Sequence, residues 1–174
     1  MKGQAAMEMD DIYAINLTKT RYRDGFDLGD AELVLSVYDG AFADMSFGIP
    51  SFYYSDARDV FRASLERTFR EYDAKMTIIL IDIVPNGDRA FDWGWHVLDL
   101  TCKQTGEQTR LRTRYFETWR RDTEKGWLIT SFIDNVDLEP RMPQEVIAEI
   151  KYGDSFTPYA RLGHLPQYAS AVPT

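Results

Sequence analysis

Four side chains in this sequence have the chemistry to move a proton or to steady a negative charge in a small pocket: Tyr22, Asp44, His96 and Glu117. A phenol donates a hydrogen bond to a developing oxyanion. A carboxylate or an imidazole delivers and removes protons, best when its surroundings bring its pKa near the working pH. Glu117 has the most telling setting. Leu111, Thr113, Tyr115, Glu117 and Trp119 alternate with Arg112, Arg114, Phe116, Thr118 and Arg120, and in a strand each set occupies one face. The first set is the more apolar and is expected to face the core. Glu117 there must either find a partner or keep its proton. Either state is useful, as a base, a proton donor or a hydrogen-bond anchor, and the structural alternative is an ion pair or hydrogen bond within the core.

The other three are read from their own neighbours. Tyr22 shares a stripe with Ile12, Ile15, Lys19 and Phe26 at helical spacing, so its ring fills the core while its hydroxyl can reach a cavity. Tyr38 is placed to approach it from the next helix. Asp44 would be a base if it pointed inward, but Ala41, Ala43 and Met45 form the more apolar parity of its segment and set it toward solvent. His96 is the obvious proton shuttle, yet the parity Phe91, Trp93, Trp95, Val97 reads as the core face, with Trp95 available to a ligand. Tyr115 and Trp119 share the inward face with Glu117, and Asn135 stands where it can line a pocket mouth or form a turn.

The remaining composition closes off other chemistries. The net charge is −8, which lacks the basic footprint of a nucleic-acid binder and disfavours anionic membrane surfaces. The two histidines, His96 and His164, have no close-spaced Cys or Glu companions, so no metal site is expected. No Gly-x-Ser-x-Gly elbow and no Gly-rich phosphate loop occurs, and no cofactor is expected. Cys102 is the single cysteine, which fits a reducing, cytoplasmic setting, and residues 1–11 carry no apolar run of the signal-peptide kind. The run Met76 to Ile83 is too short to span a bilayer.

These side chains need elements to hold them. Helices are expected over Glu8–Phe26, Ala31–Tyr38 with Asp30 as its cap, and after Ser55, where Val60, Phe61, Leu65, Phe69 and Tyr72 make an apolar face. Short extended stretches are expected at Ala41–Ser46 and Phe52–Tyr54. Four strands then follow, Met76–Val84, Arg89–Thr101, Gln108–Arg121 and Trp127–Val136, joined by turns at Asn86-Gly87, Gly106 and Lys125-Gly126. Helices first and a meander after is an α+β arrangement with helices packed on one face of an antiparallel sheet. A domain over 1–138 is expected, with a C-terminal extension over 139–174 containing a short helix from Pro143 and a tail from Gly153.

The order of elements and several strings resemble the nuclear transport factor 2-like (NTF2-like) superfamily, in its SnoaL-like and ketosteroid isomerase-like branches. The strings are Arg21-Tyr22, Gly29-Asp30, Leu33 to Tyr38, Ala41, Gly48, and Arg114-Tyr115-Phe116-Glu117-Thr118-Trp119-Arg120-Arg121-Asp122 closing on Gly126-Trp127. The resemblance implies a cone-shaped fold, three N-terminal helices on a curved antiparallel sheet enclosing a pocket for a small hydrophobic molecule, and a homodimer formed through the sheet. It places Tyr22 as the oxyanion-binding phenol and Glu117 at or beside a protonated acid. Met45 falls at the position of the general base, with Asp44 one step away. The activity it implies is a cofactor-free isomerase, polyketide cyclase or dehydratase (a lyase) acting on a cyclic or polyketide-like substrate. The alternative is a non-catalytic ligand-binding or dimerisation domain.

Overall fold

A computed structural model describes residues 2–137 of the chain. The expected helix at Pro143 and the tail from Gly153 lie outside the described residues. The element order is α1 (Lys2–Leu28), α2 (Ala31–Leu35), β1 (Tyr38–Met45), β2 (Phe52–Tyr53), α3 (Tyr54–Glu71), β3 (Tyr72–Asn86), β4 (Arg89–Cys102), β5 (Gln108–Asp122) and β6 (Gly126–Val136). The six strands form one sheet in the order β2-β1-β6-β5-β4-β3. All its pairings are antiparallel except β1 with β6, which is parallel. The α+β class and the cone-type arrangement of helices on a curved sheet are therefore as the sequence suggests.

The long first helix turns its Ile15, Lys19, Tyr22, Phe26 stripe inward, and all four side chains are buried. Spacings of three and four residues put them on one face. The helix is fastened to the sheet by charge as well as by apolar contact. Arg121 on β5 bonds the Asp11 carboxylate, and the Asp27 carboxylate accepts from the Met76 amide at 2.9 Å.

Three boundaries differ from expectation, each for a local reason. The second helix stops at Leu35 rather than Tyr38, because Ser36 caps it and the Val37 carbonyl accepts from the Ile129 amide at 2.9 Å. That bond draws Tyr38 into the sheet as the first residue of β1. The third helix opens at Tyr54, whose φ of 61° turns the chain out of β2. Ser55 lies inside that helix and does not cap it; the cap position is Tyr53, which makes no side-chain cap bond.

The β3–β4 pairing has a register shift between Leu80 and Asp82. Gly94 lies just opposite, and a Cβ there would stand 2.1 Å from the Ile79 carbonyl oxygen. Only glycine permits that backbone approach. Between helices and sheet lies a core that includes Ile15, Val34, Leu35, Phe42, Ile129 and Trp119, each at most 1% exposed. Burial of each of the larger side chains contributes roughly 1.5–3 kcal/mol. Among the described residues no helix is long and apolar enough to cross a membrane.

Candidate functional site

A cavity of about 490 Å³ opens between α1, α3 and the concave face of the sheet. Its apolar wall includes Phe26 from α1, Phe61 and Leu65 from α3, Met76 from β3, Leu98 from β4 and Phe132 from β6. Its polar groups are few: Tyr22, Asp44, Ser46, Ser64, Arg67, Thr68, His96, Thr113 and Asp134. Apolar walls with a handful of convergent polar groups are the usual make-up of a small-molecule site.

Tyr22, Asp44 and His96 are thus brought to one cavity. His96 is 4% exposed and is the best-defined of them. Its ring stacks on Tyr115 at 4.1 Å between centroids and on Phe132 at 5.8 Å, and stands 5.4 Å from the Tyr22 ring. Its Nε2 is buried with no hydrogen-bond partner. Burial, reinforced by the Lys19 ammonium, holds the imidazole pKa well below its ordinary value, so the ring is neutral at neutral pH. The Tyr22 hydroxyl bonds to Tyr38, and burial raises its pKa above the ordinary phenol value, with the Glu117 carboxylate adding to the rise. Tyr22 therefore stays a proton donor. Tyr38, its ring 6.1 Å from that of Tyr22, supports it from behind and is not on the cavity wall.

The inward placement of His96 corrects the strand parity read from the sequence. The inner face of β4 is Ala90, Asp92, Gly94, His96 and Leu98. Phe91, Trp93 and Trp95 face outward instead, where Phe91 stacks on Trp93 and on Phe116. Trp95 donates from its indole N–H to the Asp137 carboxylate at 2.6 Å, away from the cavity. The apolar ladder is real but covers the outer face of the sheet. Asp44 is a second correction: it is 3% exposed, on the same parity as buried Phe42, while Met45 is half-buried on the opposite one and off the cavity wall. Relative to the base position implied by the resemblance, the strand presents the neighbouring residue. Asn135 is exposed and its neighbour Asp134 takes the place at the cavity.

Glu117 is fully buried, as the alternation of β5 requires, but it does not line the cavity. It belongs to a cluster on the inner face of the sheet, together with Tyr115 and Trp119. The Lys19 ammonium lies 2.5 Å from Glu117 and 2.8 Å from Asp92. Asp92 also accepts from the Tyr115 hydroxyl at 3.0 Å and the Trp119 indole N–H at 2.7 Å. The ammonium lies over the Tyr115 and Trp119 rings, with the former centroid 4.5 Å away. Both carboxylates come from facing positions, Asp92 opposite Glu117 in the β4–β5 register. Glu117 accepts from Lys19 on Oε2 and, when it holds its proton, bonds to the facing Asp92 carboxylate. Burial accordingly pushes its pKa up to about 8, against the pull of Lys19. Lys19 moves the other way from the burial expected of a lone amine: its two carboxylates hold its pKa above the ordinary value.

Sequence reasoning named Lys19 only as a member of the helical stripe and missed Asp92 and Asp134. Asp92 shares the parity of Ala90, Gly94 and His96, and a glycine in that set hid the inner face. Asp134 shares that of Phe132 on a strand where neither face is clearly apolar.

Comparison with solved structures decides the fold. A ketosteroid isomerase-like protein from Erwinia carotovora atroseptica superposes with a TM-score of 0.63 at 18% identity, covering 75% of this chain and 98% of that one. An NTF2-like protein with a cystatin-like fold from Novosphingobium aromaticivorans gives 0.65 at 16% identity, over 80% and 90%. The chain has the NTF2-like fold. A Salmonella enterica protein of the NTF2-like superfamily adds a TM-score of 0.61 at 12% identity, over 75% and 93%. No protein-family model and no curated protein matches the sequence. At such identities the likeness extends to the NTF2-like fold and stops there.

Proposed function

We propose that this NTF2-like protein is a cofactor-free acid/base enzyme, an isomerase, cyclase or dehydratase, acting on a small, mostly apolar cyclic or polyketide-like molecule. One observation carries the reading: Tyr22 and a neutral, unpartnered His96 stand with ring centroids 5.4 Å apart on the wall of one mostly apolar cavity. Tyr22 donates to the substrate oxygen that gains charge, and His96 accepts the proton, with Asp44 as a second acceptor on the same cavity. Glu117 stays behind the wall, off the cavity, and does not act on the substrate.

The test is turnover of a panel of small cyclic ketones, hydroxyketones and epoxides. Wild-type protein converts at least one of them, and Tyr22→Phe folds normally but turns it over about 100–1000-fold more slowly, the usual cost of one oxyanion donor. Ligand binding with no conversion anywhere in the panel would leave the binding-domain alternative in its place.

A homodimer through the outer sheet face accompanies this reading. Ile79, Ile81, Phe91, Phe116 and Ile133 are each 38–47% exposed, and such adjoining apolar side chains mark an association surface. Light scattering is expected to give twice the chain mass, and Phe116→Glu to give a monomer; a monomeric wild type counts against it. A cytoplasmic location is proposed with it, supported by the single cysteine.

A further inference from the structure

Two carboxylates that the acid/base reading leaves largely unused stand together at the rim of the cavity. Asp44 on β1 accepts from the Ser46 amide at 3.0 Å and from the Ser46 hydroxyl. Asp134 on β6 accepts from the next amide, Phe47, at 2.6 Å. Consecutive N–H groups of one turn thus fix both acids. Neither makes an ion pair with any described residue. Lys19 is committed to Asp92 and Glu117, and Arg67, on the same cavity wall, reaches neither aspartate. Of the other titratable groups around them, the Tyr22 and Tyr38 phenols keep their protons, and His96 is neutral with an Nε2 that has no partner. Asp134 feels the Asp44 charge as well as its own burial, both of which raise its pKa.

Carboxylates drawn out of water without a counter-charge are costly. Here amides and hydroxyls hold them, and the charge itself is left to be met from the cavity. A metal ion is a poor candidate, because no group of three or more His, Cys, Asp or Glu among the described residues could hold one. The walls next to the pair are aromatic and aliphatic, with Phe47 and Phe132 nearest in sequence and the His96 ring among them. We infer that the cavity takes a cyclic or aromatic molecule bearing a protonated amine, its ring against the apolar wall and its ammonium between Asp44 and Asp134. This names the ligand class for the cavity of the proposed enzyme and rests on that cavity being the ligand site.

Three probes of one shape separate the possibilities: 2-phenylethylamine, 2-phenylethanol and phenylacetate, titrated by calorimetry into the full chain at pH 7 in low salt. The amine is expected to bind about tenfold more tightly than the alcohol, the equivalent of one partly screened charge contact, and phenylacetate more weakly than either. Asp44→Asn/Asp134→Asn keeps the size and the acceptor oxygens. It is expected to bring the amine down to the level of the alcohol while alcohol binding holds. Added salt shrinks the preference in the wild type only. Alcohol binding equal to or tighter than amine binding overturns the inference, as does a preference that survives in the double variant, or magnesium displacing the amine. Turnover of neutral ketones alongside any of those results leaves the acid/base reading standing. A protein inert in turnover that still selects the amine through the two aspartates supports this inference and removes the catalytic one.

Discussion

Lys19→Met is expected to destabilise the protein by about 3–5 kcal/mol, the usual cost of removing one member of a buried ion cluster. Methionine replaces the length and apolar stem of the lysine, so little cavity is created. What is lost is the ammonium 2.8 Å from Asp92 and 2.5 Å from Glu117. Asp92 keeps the Tyr115 hydroxyl and the Trp119 indole N–H. Glu117 keeps only its bond to the facing Asp92 carboxylate, which requires that it hold its proton. The loss is also expected to depend on pH. A buried carboxyl whose folded-state pKa lies above its unfolded value favours folding below the unfolded value and loses that contribution as pH rises through the folded one. For Glu117 burial sets that window between about 4.5 and about 8 even with Lys19 present; without Lys19 its upper edge moves higher still. Urea unfolding at pH 5 and pH 8 checks both parts: the deficit is smaller at pH 5, and Lys19→Met/Glu117→Gln recovers much of it at pH 8. A deficit below about 1 kcal/mol, or one equal at the two pH values, would mean that the cluster is not charged as its geometry indicates.

His96→Gln is expected to lower turnover by about 100- to 10,000-fold with ligand affinity changed by only a few-fold, the range for losing a general base. Glutamine keeps a polar end on the cavity wall and much of the volume between Tyr115 and Phe132, but cannot exchange a proton. The pH profile carries the more specific signature. Burial and Lys19 hold the folded-state pKa of His96 well below 6.5, so wild-type rate is flat through neutrality and falls only in acid, whereas the residual rate of the variant lacks that acid limb. Stability follows with its own sign. The unfolded chain takes up a proton at His96 near pH 6.5 and the folded chain does not, so wild type loses stability as pH falls below 6.5, and His96→Gln is spared that part of the loss. A variant with wild-type turnover would remove His96 from the chemistry.

Much of this arrangement was legible where one physical signal dominated. The stripe through Ile15, Lys19, Tyr22 and Phe26 needed only helical spacing, and the inner face of β5 needed only alternation with arginines on the other side. Glu117 was found that way, though as a partner of Lys19 and Asp92 and not on the cavity wall. The signal failed where the outer face is the more apolar of the two. On β4 the aromatic ladder Phe91, Trp93, Trp95 outweighs an inner face of Ala90, Asp92, Gly94 and His96 in hydropathy, so a core built on a buried charge network looks polar from the sequence. On β1 the small apolar residues Ala41 and Ala43 with Met45 outweighed the single Phe42 of the inner parity that carries Asp44. Asp134 could have been found only through its partner, the Phe47 amide, a contact that no local pattern announces.

The parallel pairing of β1 with β6 has a consequence for how the molecule comes together. Strands β3 to β6 join neighbours in the chain through short turns, whereas β1 reaches across α3 and the strands β3 to β5 to find Ile129, Ser131 and Phe132. Such a distant closure carries the largest chain-entropy penalty and belongs late in folding. Asp44 rides on that late-arriving strand while Asp134 and His96 ride on the early hairpins. An occupant touching all three would act as a clasp, raising the melting temperature in proportion to its occupancy and slowing the first step of unfolding.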